Sequence, residues 1–125
     1  MPKDYFSKDH EWIRVDGDVG TVGITAYAAG QLGDVVFVEV PKVGAKLEQK
    51  DVAAVVESVK AAGEVYAPVT GEVVAANDEL GANPAWINEE PTGKAWLFRM
   101  KIADAGQLAG LMDAAAYDAF VKTLA

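Results

Sequence analysis

Residues 52–74 read Val-Ala-Ala-Val-Val-Glu-Ser-Val-Lys-Ala-Ala-Gly-Glu-Val-Tyr-Ala-Pro-Val-Thr-Gly-Glu-Val-Val, and this stretch decides the fold of the chain. The Val- and Ala-rich residues 52–59 predict a strand, and residues 64–66 predict the strand that pairs with it. Residues 60–63 between them have the length of a tight connection. After a turn that contains Pro and Gly, residues 72–74 predict a third strand. The stretch therefore predicts a β-hairpin that leads directly into another strand.

The sequence on the N-terminal side of this stretch predicts a second hairpin and a short helix. Residues 11–16 and 19–24 are β-rich, and an Asp-Gly-Asp turn joins them, which is a strong hairpin signal. Thr25 is a suitable N-cap for a helix that extends to about Leu32, and Gly33 is suited to end it.

The remaining segments predict two further strands and helical structure at the C-terminus. Residues 35–38 form a continuous apolar run, as in a buried strand, and residues 95–102 alternate in part, as in a half-buried strand. Residues 77–81 predict a turn or a short helical turn. Residues 104–111 and 113–124 have helical composition. The second of these carries an apolar stripe at helical spacing, formed by Tyr117, Phe120, Val121 and Leu124.

Frequent turn signals between short β-rich segments are typical of a small barrel or sandwich. The length of 125 residues suits a single domain, residues 1–125, around one core. Asp113 can cap the last helix, which we expect to pack on the barrel through its apolar stripe. Trp96, Phe98 and Met100 follow one another at every second position, with Arg99 and Lys101 on the other face, so we expect the three to share the buried face of their strand.

Composition narrows the classes of function. The formal net charge is −8, from 19 acidic and 11 basic residues, so nucleic acid is not expected as a partner. An acidic surface either steers the chain toward basic docking patches or only keeps it in solution. The absence of cysteine excludes disulfides and thiolate chemistry. Without a visible targeting segment or an apolar run that could span a membrane, we expect a cytoplasmic monomer with no membrane partner.

Lys60 is the candidate functional residue that the local sequence singles out. It lies at the predicted tip of the hairpin, with apolar neighbours Val59 and Ala61, and Glu57 lies a few residues upstream. A tip position gives a primary amine reach, and a tight turn holds it in one place for a modifying enzyme. A lysine at a hairpin tip is also commonly a solvated charge with no further role. The turn alone does not separate these interpretations.

The residues around Lys60 resemble the hairpin of lipoyl and biotinyl carriers, in which a lysine at the tip carries the cofactor. The resemblance covers residues 57–61 and the segment 65–73 that follows. Biotin carriers have Met on either side of the lysine, whereas Val59 and Ala61 stand here, which favours lipoate. Further motifs across nearly the whole chain resemble the H proteins of the glycine cleavage system: His10-Glu11-Trp12, Thr21-Val22-Gly23-Ile24-Thr25, Leu32 to Pro41, Asn83-Pro84, Ile87-Asn88, Gly93-Lys94-Ala95-Trp96-Leu97, and the last helix around Asp113 and Tyr117.

The resemblance implies a mainly β, lipoyl-carrier-like barrel-sandwich hybrid, with a short internal helix and a C-terminal helix packed on the barrel. It implies lipoate in amide linkage on Lys60, with Glu57, Ser58, Val59 and Ala61 as the recognition context. The implied function is a non-catalytic carrier that takes the aminomethyl group of glycine from the decarboxylase to the aminomethyltransferase and presents the dihydrolipoyl group for re-oxidation. The implied partners are a pyridoxal-phosphate glycine decarboxylase, a tetrahydrofolate-dependent aminomethyltransferase, an FAD-containing dihydrolipoyl dehydrogenase, and a lipoate ligase or lipoyltransferase.

The resemblance also implies a cleft on the carrier's own surface where the loaded arm rests. The matching positions are Glu11 and Gln31, the latter where some members have His, and Glu64 adds a carboxylate near the arm. A plain alternative for Glu11 is a surface carboxylate at a strand edge. Gly63 belongs to a stretch in which many members have a polar pair, and we expect it to loosen the turn.

The residues present do not assemble a catalytic or metal site. His10 is the only histidine, so a two-histidine zinc motif cannot be formed, and the one candidate general base for a Ser-His-acid triad lies where a predicted strand opens. We expect His10 to be structural. Two other functions stay open beside the glycine cleavage carrier. One is an H-like relay or carrier that serves 2-oxoacid dehydrogenases, and the other is an interaction module of the same fold with an unmodified lysine.

Overall fold

The computed structural model of the chain describes residues 3–124, which form a mainly β fold, as predicted. The strands in this part of the chain are β1 (Lys3–Phe6), β2 (Glu11–Asp16), β3 (Val19–Ile24), β4 (Val35–Glu39), β5 (Lys46–Leu47), β6 (Val52–Ser58), β7 (Ala62–Tyr66), β8 (Gly71–Ala76) and β9 (Phe98–Ile102). The helices are α1 (Ala26–Leu32), α2 (Trp86–Glu89) and α3 (Ala114–Leu124), with 3₁₀ helices at Asp78–Gly81 and Ala105–Gly110. None of the helices described is long and apolar enough to cross a membrane.

The strands form two antiparallel sheets around one core. One sheet has six strands in the order β1-β2-β3-β9-β8-β5, and the other has three in the order β4-β6-β7. Apolar side chains of both sheets and of α1 and α2 join in a single buried cluster. Its largest fully buried members, with the adjoining Trp12, are Ile13, Leu80, Ile87, Leu97, Phe98 and Met100. The predicted barrel-sandwich architecture is confirmed.

The β2–β3 hairpin and the cap of α1 follow the sequence prediction. Gly17 has φ 66° and takes the first position of a two-residue loop, where a type II′ turn needs a positive φ. At the end of β3, the Thr25 hydroxyl accepts a hydrogen bond from the Ala28 N–H at 3.3 Å, as an N-cap does. α1 ends before Gly33, which has φ 76°. These contacts fix where α1 begins and ends relative to the sheets.

The prediction for residues 95–102 is wrong at its N-terminal end. β9 begins at Phe98, and Leu97 is fully buried, whereas Trp96 is half-buried beneath the Arg99 guanidinium, 4.2 Å from the ring centre. The alternation fails because the residues before Phe98 lie outside the strand ladder. There the Asn77 side-chain amide donates to the Trp96 carbonyl at 2.9 Å. The short edge strands β1 and β5 were not predicted, since four and two residues carry too little pattern.

α3 packs on the six-stranded sheet through the first part of its apolar stripe. Asp113 caps it, because its Oδ1 accepts from the Ala116 N–H at 2.8 Å. Tyr117 is buried, but Leu124 is 45% exposed, so the prediction that the whole stripe packs is wrong for the last turn. The helix predicted at 104–111 is instead a 3₁₀ helix, Ala105–Gly110.

Candidate functional site at the β6–β7 hairpin

The β6–β7 hairpin turns at residues 59–61 and places Lys60, exposed, at its tip. The predicted connection, 60–63, is wrong at its C-terminal side, because Ala62 and Gly63 already belong to β7. There Ala62 pairs with Glu57 of β6. The turn is therefore shorter than the sequence suggested, and the amine projects from a three-residue loop.

Ser58 fixes the backbone of the tip. Its Oγ accepts hydrogen bonds from the N–H groups of Lys60 at 3.3 Å and Ala61 at 3.0 Å. The same hydroxyl donates to the Ala61 carbonyl at 3.1 Å, which also accepts from the Ser58 N–H at 2.7 Å. A serine side chain that bonds backbone groups two and three residues on stabilises a tight turn. Ser58 therefore holds the backbone of Lys60 in one conformation.

The connection from α1 to β4 supports the tip from the side. The Val59 N–H donates to the Asp34 carbonyl at 3.1 Å. Asn88 of α2 holds this connection at two points: its Nδ2 donates to the Gly33 carbonyl at 2.6 Å, and its Oδ1 accepts from the Val35 N–H at 2.9 Å. No sequence pattern indicated this role for Asn88, because its partners lie more than fifty residues away. The tip is thereby tied to both helices beside it.

Two glycines make room for side chains around the tip. A Cβ at Gly33 would lie 3.3 Å from Cε of Lys60, so the lysine stem lies across the end of α1. A Cβ at Gly63 would lie 3.3 Å from Cδ2 of Leu32. The prediction that Gly63 loosens the turn is wrong, because Gly63 is paired with Val56 inside β7. Its missing side chain instead lets α1 approach the hairpin closely.

A groove of about 210 Å³ runs between α1, β7 and residues 9–11. Glu11, Gln31 and Glu64 all line it, so the structure brings together the two positions that the family resemblance assigned to a cleft and the further carboxylate of Glu64. Gln31 and Glu64 are exposed, and Leu32 adds an apolar wall. The groove therefore has apolar and acidic surface within one cavity, on the side of α1 that faces the hairpin.

Glu11 is buried, so its interpretation as a surface carboxylate is wrong. The residue is 2% exposed; the Ser7 hydroxyl donates to its Oε1 at 2.6 Å, and the Tyr66 N–H donates to its Oε2 at 3.2 Å. Burial raises the pKa of Glu11 to about 7, because the charged form loses water, and the hydrogen bonds from Ser7 and Tyr66 offset only part of this rise. Both protonation states of Glu11 are thus populated near neutral pH.

His10 has a structural environment at the junction with α3. Its Nδ1 lies 2.8 Å from the Tyr117 hydroxyl, which lies 2.7 Å from Oγ1 of Thr25. The ring also packs against Tyr27, and burial lowers the pKa of His10. Within residues 3–124, no group of three or more His, Cys, Asp or Glu side chains is placed to hold a metal ion. The Tyr117 hydroxyl therefore links α3 to the start of α1, a contact that the apolar stripe did not predict.

Known proteins match the chain over nearly its whole length. The sequence model of the family described as Glycine cleavage H-protein matches residues 4–124. A protein of Bradyrhizobium diazoefficiens named glycine cleavage system H protein is 60% identical over 119 residues, which cover 95% of this chain and 98% of that protein. A protein of the same name from Phenylobacterium zucineum is 62% identical over 116 residues, which cover 93% of this chain and 96% of its own.

A solved structure matches as well. The crystal structure of a glycine cleavage system H protein from Mycobacterium marinum superposes with a TM-score of 0.87 at 32% sequence identity. The match covers 96% of this chain and 97% of the other. Sequence and structure comparisons thus agree over the hairpin, the groove and the C-terminal helix.

Proposed function

The chain belongs to the glycine cleavage H-protein family, and on that premise we propose that it is the lipoylated carrier of the glycine cleavage system, with Lys60 as the attachment residue. Proteins of this family are carrier subunits that bear lipoate. The observation that carries the assignment to Lys60 is an exposed primary amine on a tip whose backbone is held by Ser58 and Asp34. An acylating enzyme needs an accessible amine in a reproducible position, and this tip meets both conditions.

The residues at the tip fit an amide-linked lipoyl group. Acylation of Nζ removes the positive charge of Lys60, and the flanking Val59 and Ala61 are exposed, so neither crowds the amine. Bound lipoate supplies a dithiolane that accepts the aminomethyl group of glycine. The chain itself supplies the tether, which raises the effective concentration of the arm at each enzyme that it visits.

In the proposed cycle the chain serves three enzymes. It receives the aminomethyl group at a pyridoxal-phosphate glycine decarboxylase, presents it to a tetrahydrofolate-dependent aminomethyltransferase, and offers the dihydrolipoyl group to an FAD-containing dihydrolipoyl dehydrogenase. A lipoate ligase or lipoyltransferase attaches the arm. The hard chemistry belongs to the cofactors of these enzymes, which is consistent with a carrier that contributes position rather than catalysis.

The groove beside the hairpin is the proposed resting place of the loaded arm. Its apolar wall suits the hydrocarbon chain of the arm, and Glu11 and Glu64 provide oxygens for an amine at its end. Because the pKa of Glu11 is about 7, a cationic amine in the groove would favour the ionised form of this residue. Gln31 adds a neutral amide where a histidine would titrate.

We extend the proposal to residues 1–125 acting as a single monomeric domain in the cytoplasm.

Substitution of Lys60 tests the proposal directly. Lys60→Arg keeps the charge but cannot be acylated, so we expect a normally folded protein that supports no glycine decarboxylation with the three partner enzymes. The control is Lys101→Arg, at an exposed lysine of β9, which should keep full activity. Retained activity in Lys60→Arg would overturn the assignment. A lipoylated wild-type chain that feeds 2-oxoacid dehydrogenases but not glycine decarboxylation would favour the relay function instead.

A further inference from the structure

Three apolar side chains are exposed on the surface beside Lys60. Val36 is 55% exposed, Phe37 is 46% exposed and Val59 is 72% exposed. Phe37 of β4 pairs with Glu57 of β6, three residues before Lys60, and the N–H of Val59 is bonded to the carbonyl that immediately precedes β4. The three residues therefore lie at the same end of the three-stranded sheet. We refer to Val36, Phe37 and Val59 as the tip patch.

The tip patch is not explained by packing within the chain. Val35 and Val38 of β4 are buried in the core, at 5% and 6% exposure. Between Val35 and Phe37 the register with β6 shifts by one residue, so that an extra residue stands on β4. As a result two successive side chains of β4 are exposed rather than one. Apolar side chains grouped on a surface in this way mark sites of interaction with other molecules.

The surroundings of the tip patch are acidic. Asp34, Glu39 and Glu57 are exposed on the same two strands or directly before them. Lys60 is the one basic residue in β4, β6 and the tip, and its charge disappears when it is acylated. A partner that fits this surface therefore has an apolar depression bordered by Lys or Arg side chains, because complementary charge speeds encounter and selects orientation.

We propose that the tip patch is the docking surface for the enzyme that acylates Lys60, an inference that rests on the proposed attachment of lipoate at this residue. The acylating enzyme has to bring an activated lipoyl group to Nζ of the bare lysine, so its surface must come within one lysine side chain of the tip. Val59 adjoins Lys60 in the turn and Phe37 pairs with Glu57 at the base of the tip, so both lie on the surface that such an enzyme faces. An enzyme that uses the finished arm meets the far end of a longer tether and does not need this contact.

A nucleotide-activated donor supplies the lipoyl group in the proposed acylation step. The neutral amine of Lys60 attacks the carbonyl carbon of a lipoyl–AMP anhydride, which a ligase makes from lipoate and ATP. An amide C–N bond forms, the bond between the carbonyl carbon and the phosphate oxygen breaks, and AMP leaves with the electron pair while the amine loses a proton. The tip patch takes no part in this chemistry, so its substitution should change binding of the ligase rather than reaction at Nζ.

The test compares exposed apolar positions inside and outside the patch. The patch variants are Phe37→Thr and Val59→Thr, and the matched controls are Val74→Thr and Val43→Thr, at positions 44% and 65% exposed. The unmodified full chain is incubated with purified lipoate ligase of the same organism, lipoate and ATP, and acylation is followed by intact mass. We expect each patch variant to lower kcat/KM about tenfold through KM, and each control to stay within about twofold.

Two further measurements separate docking of the ligase from altered tip geometry and from self-association of the chain. Acetylation of Lys60 by a small reagent should proceed equally in all variants; a loss there that matches the loss with ligase would mean altered tip geometry and would overturn docking. Patch variants acylated as fast as the controls would overturn it as well. So would a wild-type dimer, detected by sedimentation, that Phe37→Thr converts to a monomer with an unchanged acylation rate. A wild-type chain that the ligase leaves unmodified at Lys60 would overturn the attachment itself, and the docking surface with it.

Discussion

Two charged side chains at opposite ends of the β6–β7 hairpin are held in opposite ways: Lys60 belongs to the hairpin, and Glu11 of β2 is bonded to its last residue, Tyr66. At the tip, Lys60 is exposed, and the bonds from Ser58 fix only its backbone. At the other end, Glu11 is buried, and its carboxylate accepts hydrogen bonds from the Tyr66 N–H and from the hydroxyl of Ser7. An exposed side chain on a fixed backbone can be modified with little effect on folding, whereas a buried acid affects folding at every pH where it titrates. Attachment and pH dependence are therefore separated along one hairpin.

The largest effect is expected at the buried end, in the pH dependence of stability. The pKa of Glu11 is raised from 4.5 to about 7, so between these values the folded chain keeps a proton that the unfolded chain has lost. The contribution of Glu11 to stability is therefore complete at acid pH and falls as pH rises through this window, by about 3 kcal/mol, then levels off. In Glu11→Gln the amide does not titrate, and this fall should disappear.

Urea unfolding of the wild-type chain and Glu11→Gln across this pH range measures the effect. The difference in unfolding free energy between the two proteins isolates Glu11, since the other titrating groups contribute equally to both. The matched control is Glu57→Gln, which removes the same charge at an exposed position of β6 and should leave the fall that belongs to Glu11 in place. A difference between wild type and Glu11→Gln that stays constant with pH would contradict a raised pKa.

The next largest effect is expected where the tip meets α1. Gly33 combines φ 76° with ψ −153°, a region that is nearly exclusive to glycine, so Gly33→Ala should cost about 2 kcal/mol of unfolding free energy. The new Cβ would also lie 3.3 Å from Cε of Lys60, which should move the lysine stem and slow acylation. Gly30→Ala is the control, because a Cβ there meets open space within α1 and alanine favours a helix. Equal thermal stability of the two variants would contradict the claim that alanine strains the backbone at position 33.

A smaller effect is expected from the hydroxyl that fixes the tip. Ser58→Ala leaves the N–H groups of Lys60 and Ala61 without their side-chain acceptor, and because both are exposed to water the cost should be about 1 kcal/mol. Acylation of Lys60 should slow several-fold, since the backbone that presents the side chain is no longer fixed. Intact mass during reaction with ligase measures the rate. An unchanged acylation rate would show that the fixed backbone is unnecessary.

Ser7→Ala tests the environment of Glu11 at the buried end. The Ser7 hydroxyl bonds the Glu11 carboxylate and lowers its pKa, so its loss should raise the pKa of Glu11 further. The acylation rate of Lys60 should stay unchanged. The two serines of the chain thus make a matched pair, one expected to affect the tip and the other the titration of the buried acid.

Much of the hairpin and its surroundings could be predicted because the signals are local. Thr25 precedes the helix that it caps, Gly33 follows the same helix, and Lys60 lies between two β-rich runs. The burial of Glu11 could not be predicted, since it depends on the N–H of Tyr66, which is 55 residues away in sequence. The same reason applies to Asn88, which bonds the Gly33 carbonyl and the Val35 N–H in the connection beside the tip. Polar groups that pair over long sequence distances leave no periodic pattern.

The turn bounds show a second limit of the sequence. Residues 60–63 have turn-like composition, yet Gly63 belongs to β7, because the close approach of Leu32 requires a residue without a side chain there. A glycine in a strand that admits a neighbouring element is indistinguishable, in one sequence, from a glycine in a turn. The position of the lysine was correct and the length of its loop was not.

The central claim is that Lys60 carries the arm, and the most direct test is the mass of the protein taken from its native cell. Intact mass followed by peptide mapping should show one added lipoyl group, confined to the peptide that holds Lys60. Cells grown on glycine provide the condition in which the carrier has to be loaded. A bare Lys60 in protein from such cells, or a lipoyl group on another lysine, would contradict this claim.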